Sequence, residues 1–149
     1  MPLIRWKQPG DVKAIVRLVR TQLVPLSPWQ HPRDGRLHGE IVKRLRQGST
    51  LVAARSPRSV PFGFLHLIVQ DRVLFIDMLA VDASQQGRHW GTYLLARAEE
   101  HGRKKGCADA RLFVDDTNQS GLRFYERRGY RVLNHLKALL CFELTKPLI

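Results

Sequence analysis

Cysteine and long hydrophobic runs are both scarce in this sequence of 149 residues. The two cysteines, Cys107 and Cys141, share no metal-ligand spacing with a histidine or with each other. The longest apolar runs, such as 73–80, include an aspartate and are far shorter than the roughly 20 residues that cross a bilayer. We therefore expect no disulfide framework, no metal site and no membrane span.

Acidic residues are in the minority: 13 Asp and Glu stand against 25 Lys and Arg, which gives a net charge of +12. This excess favours polyanionic partners, such as nucleic acid, phosphorylated cofactors or acidic lipid surfaces. The hydrophobic content of 44% is ordinary for a folded chain, and the length fits a single domain over 1–149. Residues 1–10 are basic without an apolar stretch behind them, so no signal peptide is expected and the expected location is cytoplasmic.

Hydrophobic periodicity and turn residues predict the element order βααβββαβαββ. In 11–24, for example, Val12, Ile15 and Val19 recur at helical spacing while basic residues take the opposite face. Three runs rich in Val, Leu, Ile and Phe, joined by short polar turns, predict consecutive antiparallel strands. The predicted strands are 3–7, 50–55, 62–69, 73–81, 110–114, 130–136 and 138–144, and the predicted helices are 11–24, 37–47, 90–105 and 118–128.

The loop 82–91 connects a predicted strand to a predicted helix and contains Gly87 and Gly91. A loop at this place presents several backbone N–H groups together, and the helix dipole adds partial positive charge, so the loop can bind a pyrophosphate. Glycines let the backbone approach such a group closely. Many strand-to-helix turns contain two glycines for steric reasons alone, and the loop by itself leaves both interpretations open.

A second segment, 118–130, follows the next predicted strand and favours the phosphate interpretation. With it, the sequence resembles the GCN5-related N-acetyltransferase (GNAT) superfamily, most strongly over residues 74–130. The residues that carry the resemblance are Leu79-Ala80-Val81-Asp82, Gln86, Gly91, Asn118, Phe124, Tyr125, Gly129 and Tyr130. Those up to Gly91 match the family's coenzyme A loop, and those from Asn118 onward match its later helix motif.

The resemblance implies a single α/β domain in which a mixed, mainly antiparallel sheet of six or seven strands is flanked by four helices. It implies an N-acyltransferase that moves an acyl group, in the first place acetyl, from acetyl-CoA to an amine by direct attack in a ternary complex. The acceptor is a small-molecule or protein amine that the sequence does not identify, and a homodimer is left open. The residues implied in coenzyme binding are Leu79, Ala80, Val81, Gln86, Gly87, Arg88, His89, Trp90, Gly91, Thr92, Asn118, Phe124 and Tyr125.

Two residues are candidates for catalysis. In the family, the tyrosine at the position of Tyr125 points at the coenzyme sulfur and acts as general acid, whereas without the motif a core position is the preferred interpretation of Tyr125. Asp77 is the lone acid of its strand and shares its alternation with Phe75, Leu79 and Val81. Its carboxylate is a candidate to accept a proton from the acceptor's ammonium group. The alternatives are an ion pair with an arginine, and deprotonation through water that needs no protein base.

Asn118 is either a helix N-cap or a polar contact to the pantetheine arm, and both roles are compatible. The sequence departs from the family's pattern at two positions. His89 stands where the coenzyme loop usually has a glycine, and Gly121 stands where the helix motif usually has an alanine. Histidine is among the residues found more often at positive φ, and His89 can donate a hydrogen bond to a phosphate. The change at Gly121 is expected to be mild.

Two other functions stay open from the sequence. His89 leaves a coenzyme A-binding module without catalysis as an alternative, and the net charge leaves a basic nucleic-acid-binding domain, although no recognition motif for nucleic acid is present. Trp29 and His31 lie in a Pro-rich loop between the first two predicted helices, where the family shapes its acceptor pocket. A packed anchor for that loop is the other interpretation of these two residues.

Overall fold

The computed structural model describes residues 2–27 and 34–149, so Trp29 and His31 lie outside the described residues. The strands are β1 (Leu3–Trp6), β2 (Ser49–Ala54), β3 (Gly63–Gln70), β4 (Val73–Val81), β5 (Asp109–Asp115), β6 (Arg131–Leu136) and β7 (Cys141–Pro147). The α-helices are α1 (Val12–Leu18), α2 (Leu37–Leu45), α3 (Trp90–Lys104) and α4 (Gln119–Glu126). Within the described ranges, no helix has both the length and the hydropathy needed to cross a membrane.

The strands form one seven-stranded sheet in the order β1-β2-β3-β4-β5-β7-β6. β4 and β5 pair in parallel, and the other neighbouring strands pair antiparallel, which confirms the predicted mixed sheet. The parallel pairing covers only Val73–Ile76 and Asp109–Leu112. Beyond these residues β4 and β5 diverge, so the end of β4 lacks a partner strand on that side and its backbone groups can pair with something else.

Two hydrophobic cores lie on the two faces of the sheet. The first joins α3 to sheet residues such as Leu65 and Leu112, and Phe124 of α4 packs against it. The second joins α1 and α2 to the opposite face through residues such as Phe64 and Met78. We call these the α3 face and the α1/α2 face of the sheet.

A β-bulge interrupts β4 at Asp77. His66 of β3 pairs with Met78, and the next residue, Leu67, pairs with Ile76, so Asp77 is an extra residue between two paired neighbours. A bulge keeps the strand pairing on both sides of the extra residue, so the alternation of side chains along the sequence is shifted by one after it.

The bulge therefore divides β4 into two halves of opposite alternation. Ile76 before it belongs to the α3 core, whereas Ala80 after it belongs to the α1/α2 core, and Leu79 and Val81 pack against the α3 core. Asp77 itself contacts α2. The prediction that Asp77 shares a face with Leu79 and Val81 is wrong, because it assumes an uninterrupted strand.

Most boundaries differ from the prediction by one or two residues, and at two places the kind of structure differs. The helix expected over 11–24 is α1 followed by a π-helical turn, Val19–Leu23, and a 3₁₀ turn, Val24–Leu26. The last strand begins at Cys141 instead of residue 138, because Lys137–Leu139 form a 3₁₀ turn that ends at Leu140 in the left-handed conformation.

Candidate active site

A cleft of about 940 Å³ opens where β4 and β5 diverge. Its walls are the ends of these strands, the start of α3 with the loop before it, α4, and residues between Val19 and Ser27. Except for Arg88, every residue that the sequence analysis assigns to catalysis or coenzyme binding lines this cleft. The fold thus brings the two sequence motifs to one place. Among the described residues, no group of three metal-ligating side chains is close enough to hold a metal ion.

The start of α3 forms one end of the cleft. His89 precedes the helix in the left-handed conformation with a φ of 68°, as its replacement of a glycine predicts, and Gly87 has a φ of 78°. No described residue accepts a hydrogen bond from the backbone N–H of Trp90, Gly91 or Thr92. Free N–H groups at a helix N-terminus, together with the helix dipole, favour an anion at this position.

Gln86 connects the loop before α3 to its neighbours. Its side-chain amide donates a hydrogen bond to the carbonyl oxygen of Val81 at the end of β4, at 2.9 Å. It donates a second to Oε1 of Gln22 in the π-helical turn, also at 2.9 Å. The loop before α3 and the turn that follows α1 are therefore joined directly by two side chains across the cleft.

Asn118 caps α4. Its Oδ1 accepts a hydrogen bond from the backbone N–H of Gly121 at 3.0 Å, which confirms the N-cap role. Its Nδ2 donates no hydrogen bond to any described residue, so this group stays available to a ligand. A Cβ at position 121 would lie 2.4 Å from that Nδ2. The glycine is therefore what makes room for the Asn118 side chain, a closer fit than the sequence suggests.

Tyr125 combines both of the roles that the sequence leaves open. Its ring packs against the α3 core and makes edge contacts with Phe124 and Tyr130, at centroid distances of 5.1 and 5.7 Å. The residue also lines the cleft, and no described residue forms a hydrogen bond with its hydroxyl group. Burial raises the pKa of Tyr125 above its ordinary value of 10, so the phenol keeps its proton at neutral pH.

A buried polar group lies behind Tyr125. The hydroxyl of Tyr130 donates to Glu99 at 2.7 Å, and the Lys146 ammonium contacts both carboxylate oxygens of Glu99 at 3.0 and 3.1 Å. Burial, with the adjacent Glu99 carboxylate, raises the pKa of Tyr130, which stays a neutral donor. Because its charges and donors are mutually satisfied, this group holds the Tyr130 ring against Tyr125.

Asp77 forms a bidentate ion pair with Arg44 of α2. The Nη2–Oδ1 distance is 2.7 Å and the Nε–Oδ2 distance is 3.1 Å. The Asp77 side chain is only 8% exposed, so the pair is partly shielded from water. This is the ion pair that the sequence analysis leaves open as an alternative, and it commits both carboxylate oxygens to one guanidinium.

His66 lies beneath this ion pair and is fully buried. Its Nδ1 is 2.8 Å from the Thr50 hydroxyl, and its Nε2 is 2.6 Å from the Gln47 carbonyl oxygen. Burial lowers the pKa of His66, and the nearby Asp77 charge opposes this only in part. The imidazole is therefore neutral in the folded protein at neutral pH and acts as a structural link between β2 and β3.

Arg128 also lines the cleft, although no sequence motif assigns it there. Its guanidinium donates to the Thr92 hydroxyl at 2.9 and 2.5 Å and to the Phe124 carbonyl oxygen at 2.7 Å. It also stacks 3.8 Å above the Phe124 ring. The spacing from Phe124 to Arg128 is the signal that could have found it, because residues four apart share a face in the helix predicted over 118–128. Arg128 places a fixed positive charge beside the start of α3.

The sequence analysis also misses Asp115, the last residue of β5, which lines the opposite part of the cleft from α3. Burial raises the pKa of the Asp115 carboxyl group, and the charge of Asp116 raises it further. A single acidic residue at a strand end gives no sequence signal that separates it from an ordinary turn residue.

Residues 13–130 match the model of the acetyltransferase (GNAT) family. The acetyltransferase Atu2258 of Agrobacterium fabrum is 38% identical over 66 residues, which are 44% of this chain and 47% of that relative. The blasticidin-S acetyltransferase of Streptomyces morookaense is 40% identical over 65 residues, which are 43% of this chain and 46% of that relative. The chain matches about half the length of these curated relatives.

Among solved structures, the paia N-acetyltransferase from Thermoplasma acidophilum in complex with coenzyme A is similar over 99% of both chains. The TM-score is 0.80 and the sequence identity is 21%. At this identity the likeness concerns the fold, and it covers the whole α/β architecture described above.

Proposed function

The chain belongs to the acetyltransferase (GNAT) family, and on that premise we propose that it transfers an acyl group, acetyl in the first place, from acetyl-CoA to an amine. The observation that carries this proposal is the Tyr125 hydroxyl. It is protonated, unpaired among the described residues, and lies in the cleft where β4 and β5 diverge. A proton donor at that point is what a departing thiolate needs.

The described residues fit coenzyme A. The cleft volume is in the range of ligand sites, the first N–H groups of α3 are free, and Arg128 adds positive charge beside them. The unpaired edge of β4 around Leu79 and Val81 offers backbone groups to the amides of the pantetheine arm. The free Nδ2 of Asn118 offers a further donor. Bound acetyl-CoA supplies an activated acyl group as a thioester.

Tyr125 holds its proton on the hydroxyl oxygen and lines the cleft in which we propose that the thioester of acetyl-CoA binds. A free thiol has a pKa near 8.5, so full proton transfer from a phenol with a raised pKa is uphill. We therefore assign Tyr125 a hydrogen bond that stabilises the developing thiolate before the proton moves. Asp77 remains a candidate proton acceptor, but its pairing with Arg44 favours deprotonation of the acceptor through water.

Two measurements test the proposal. A hundredfold excess of acetyl-CoA over its dissociation constant should stabilise the fold by about 2.7 kcal/mol and raise the melting temperature accordingly. When a panel of amines is then tested as acceptors, acetyl transfer should release free coenzyme A thiol. No thermal shift at millimolar ligand would overturn the proposal, and a shift without thiol release for any amine would favour the coenzyme-binding module instead.

A nucleic-acid-binding domain predicts a different result. Binding to double-stranded DNA or RNA should then weaken steeply with salt, because Lys and Arg side chains would displace counterions from phosphates. We expect no such binding at physiological salt. A small molecule and a protein amine both remain candidate acceptors.

A further inference from the structure

The two sides of the cleft carry opposite electrostatic character. On the side of α3, free N–H groups and Arg128 favour an anion. On the other side, the charged residues that line the described cleft are Arg44, Asp77 and Asp115. Arg44 and Asp77 neutralise each other in their bidentate pair, so the uncompensated charge on this side is that of Asp115.

Asp115 faces the α1/α2 side of the sheet. Ala110, Leu112 and Val114 of β5 belong to the α3 core, so by alternation the side chains of Phe113 and Asp115 lie on the opposite face. The helices α1 and α2 do not cover this end of the sheet, and Phe113 is 50% exposed. Phe113 and Asp115 therefore line the cleft on this face of the sheet, where β4 and β5 diverge.

The Asp115 carboxylate has no ion pair and no hydrogen-bond donor among the described residues. Its neighbours do not supply one, because His135 of β6 contacts the adjacent Asp116 instead, at 3.2 Å. The residue of β7 that faces Asp115 is Cys141, a neutral thiol. Burial and the nearby carboxylates raise the pKa of that thiol. A half-buried carboxylate beside a second negative charge is destabilised, and a cationic group placed against it relieves that cost.

We propose that Asp115 binds the ammonium group of the acceptor, and that the acceptor is consequently an aliphatic amine that is protonated at neutral pH. This inference rests on the proposed function and adds the substrate class to it. It also explains how a chain with a net charge of +12 can admit a cation, because the local charge at the acceptor side of the cleft is negative. Aromatic amines, which are neutral at this pH, gain nothing from Asp115.

Benzylamine and aniline form a matched pair of probes, since they share a phenyl ring but only benzylamine is protonated at neutral pH. Propylamine and the dipeptide Ala-Gly extend the aliphatic set, and 4-aminobenzoate extends the aromatic set. Release of coenzyme A thiol is measured for each amine with the wild type, Asp115→Asn, Asp115→Glu and Asp116→Asn. We expect the wild type to prefer the aliphatic set.

Asp115→Asn should lower kcat/KM for the aliphatic amines by about tenfold to a hundredfold, mainly through KM, because one charged hydrogen bond is lost. Asp115→Glu should recover part of this loss, and Asp116→Asn, which changes the neighbouring charge outside the cleft lining, should stay within about threefold. The melting temperature of Asp115→Asn should be equal to or above that of the wild type, because a destabilised carboxylate is removed, and its coenzyme A affinity should be unchanged, which separates a binding role from a folding defect.

The outcomes distinguish a failure of the role of Asp115 from a failure of the proposed function. Aliphatic turnover that is unchanged in Asp115→Asn, or a preference for aniline over benzylamine, overturns the role of Asp115 and leaves the acetyltransferase proposal intact. A wild type that binds acetyl-CoA but acetylates neither set overturns the proposed function, and the inference about Asp115 falls with it.

Discussion

Replacing Tyr125 with phenylalanine removes one hydroxyl group and leaves the ring contacts with Phe124 and Tyr130 in place. Because no described residue is hydrogen bonded to that hydroxyl, the folded state loses no internal hydrogen bond. We expect the free energy of unfolding to change by less than about 0.5 kcal/mol. If the hydroxyl stabilises the departing thiolate, turnover falls on the order of 10²-fold, which corresponds to about 2.7 kcal/mol of transition-state stabilisation.

Tyr130→Phe is the matched control, because it removes the same atom from a neighbouring ring. That hydroxyl donates to the buried Glu99, which would keep only its contact with Lys146. Leaving a buried carboxylate partly unsatisfied costs about 1–3 kcal/mol, so this variant should melt at a lower temperature. Its turnover, measured well below that temperature, should stay within about threefold of the wild type.

Tyr125→Phe should therefore lose activity but not stability, and Tyr130→Phe should lose stability but not activity. Thiol release under saturating acetyl-CoA gives the first quantity, and urea denaturation followed by fluorescence gives the second. Since burial raises the pKa of Tyr125, its ionisation should cause no loss of wild-type turnover below about pH 10. A Tyr125→Phe variant that retains turnover within about twofold would refute the role assigned to the hydroxyl and return Tyr125 to the core.

Two further predictions concern histidines. Burial lowers the pKa of His66 below the 6.5 of the unfolded chain. In acid the unfolded state therefore binds more protons than the folded state, and the free energy of unfolding should fall as the pH drops below about 6.5. His66→Gln should reduce that slope, and an unchanged slope would contradict the assignment. His89→Gly should raise the free energy of unfolding by about 1 kcal/mol, because it removes a histidine from the left-handed conformation. Urea denaturation of the wild type and the variant measures this difference, and an unchanged free energy of unfolding would contradict the strain assigned to His89.

Local patterns were sufficient to predict the element order, and the resemblance to the GNAT family was sufficient to identify part of the cleft lining. Helical and strand periodicity depend only on neighbouring residues. The motifs around Gly91 and Tyr125 are also continuous segments of the chain, and both segments line the cleft. The prediction of β4 over Val73–Val81 is confirmed to the residue, and the N-cap at Asn118 is confirmed as well.

The features that could not be predicted depend on contacts between distant segments. The bulge at Asp77 arises from how β4 pairs with β3, and nothing in the β4 sequence alone marks an extra residue. The ion pair between Arg44 and Asp77 and the free carboxylate of Asp115 likewise depend on which helices cover which part of the sheet. For this reason the sequence analysis selects Asp77 as the acidic group of interest, whereas the structure draws attention to Asp115.

The bulge gives β4 one position at which its length can change without altering the cleft. Deleting Asp77 would remove only the extra residue: the strand pairs on either side of the bulge would become adjacent, and Leu79 and Ala80 would keep their present faces, with only the ion pair to Arg44 lost. Deleting Leu79 instead would bring Ala80 opposite Leu65 and turn Ala80 toward α3. The loss of one codon from this strand is therefore harmless or damaging to the cleft according to whether it removes the extra residue or a paired one.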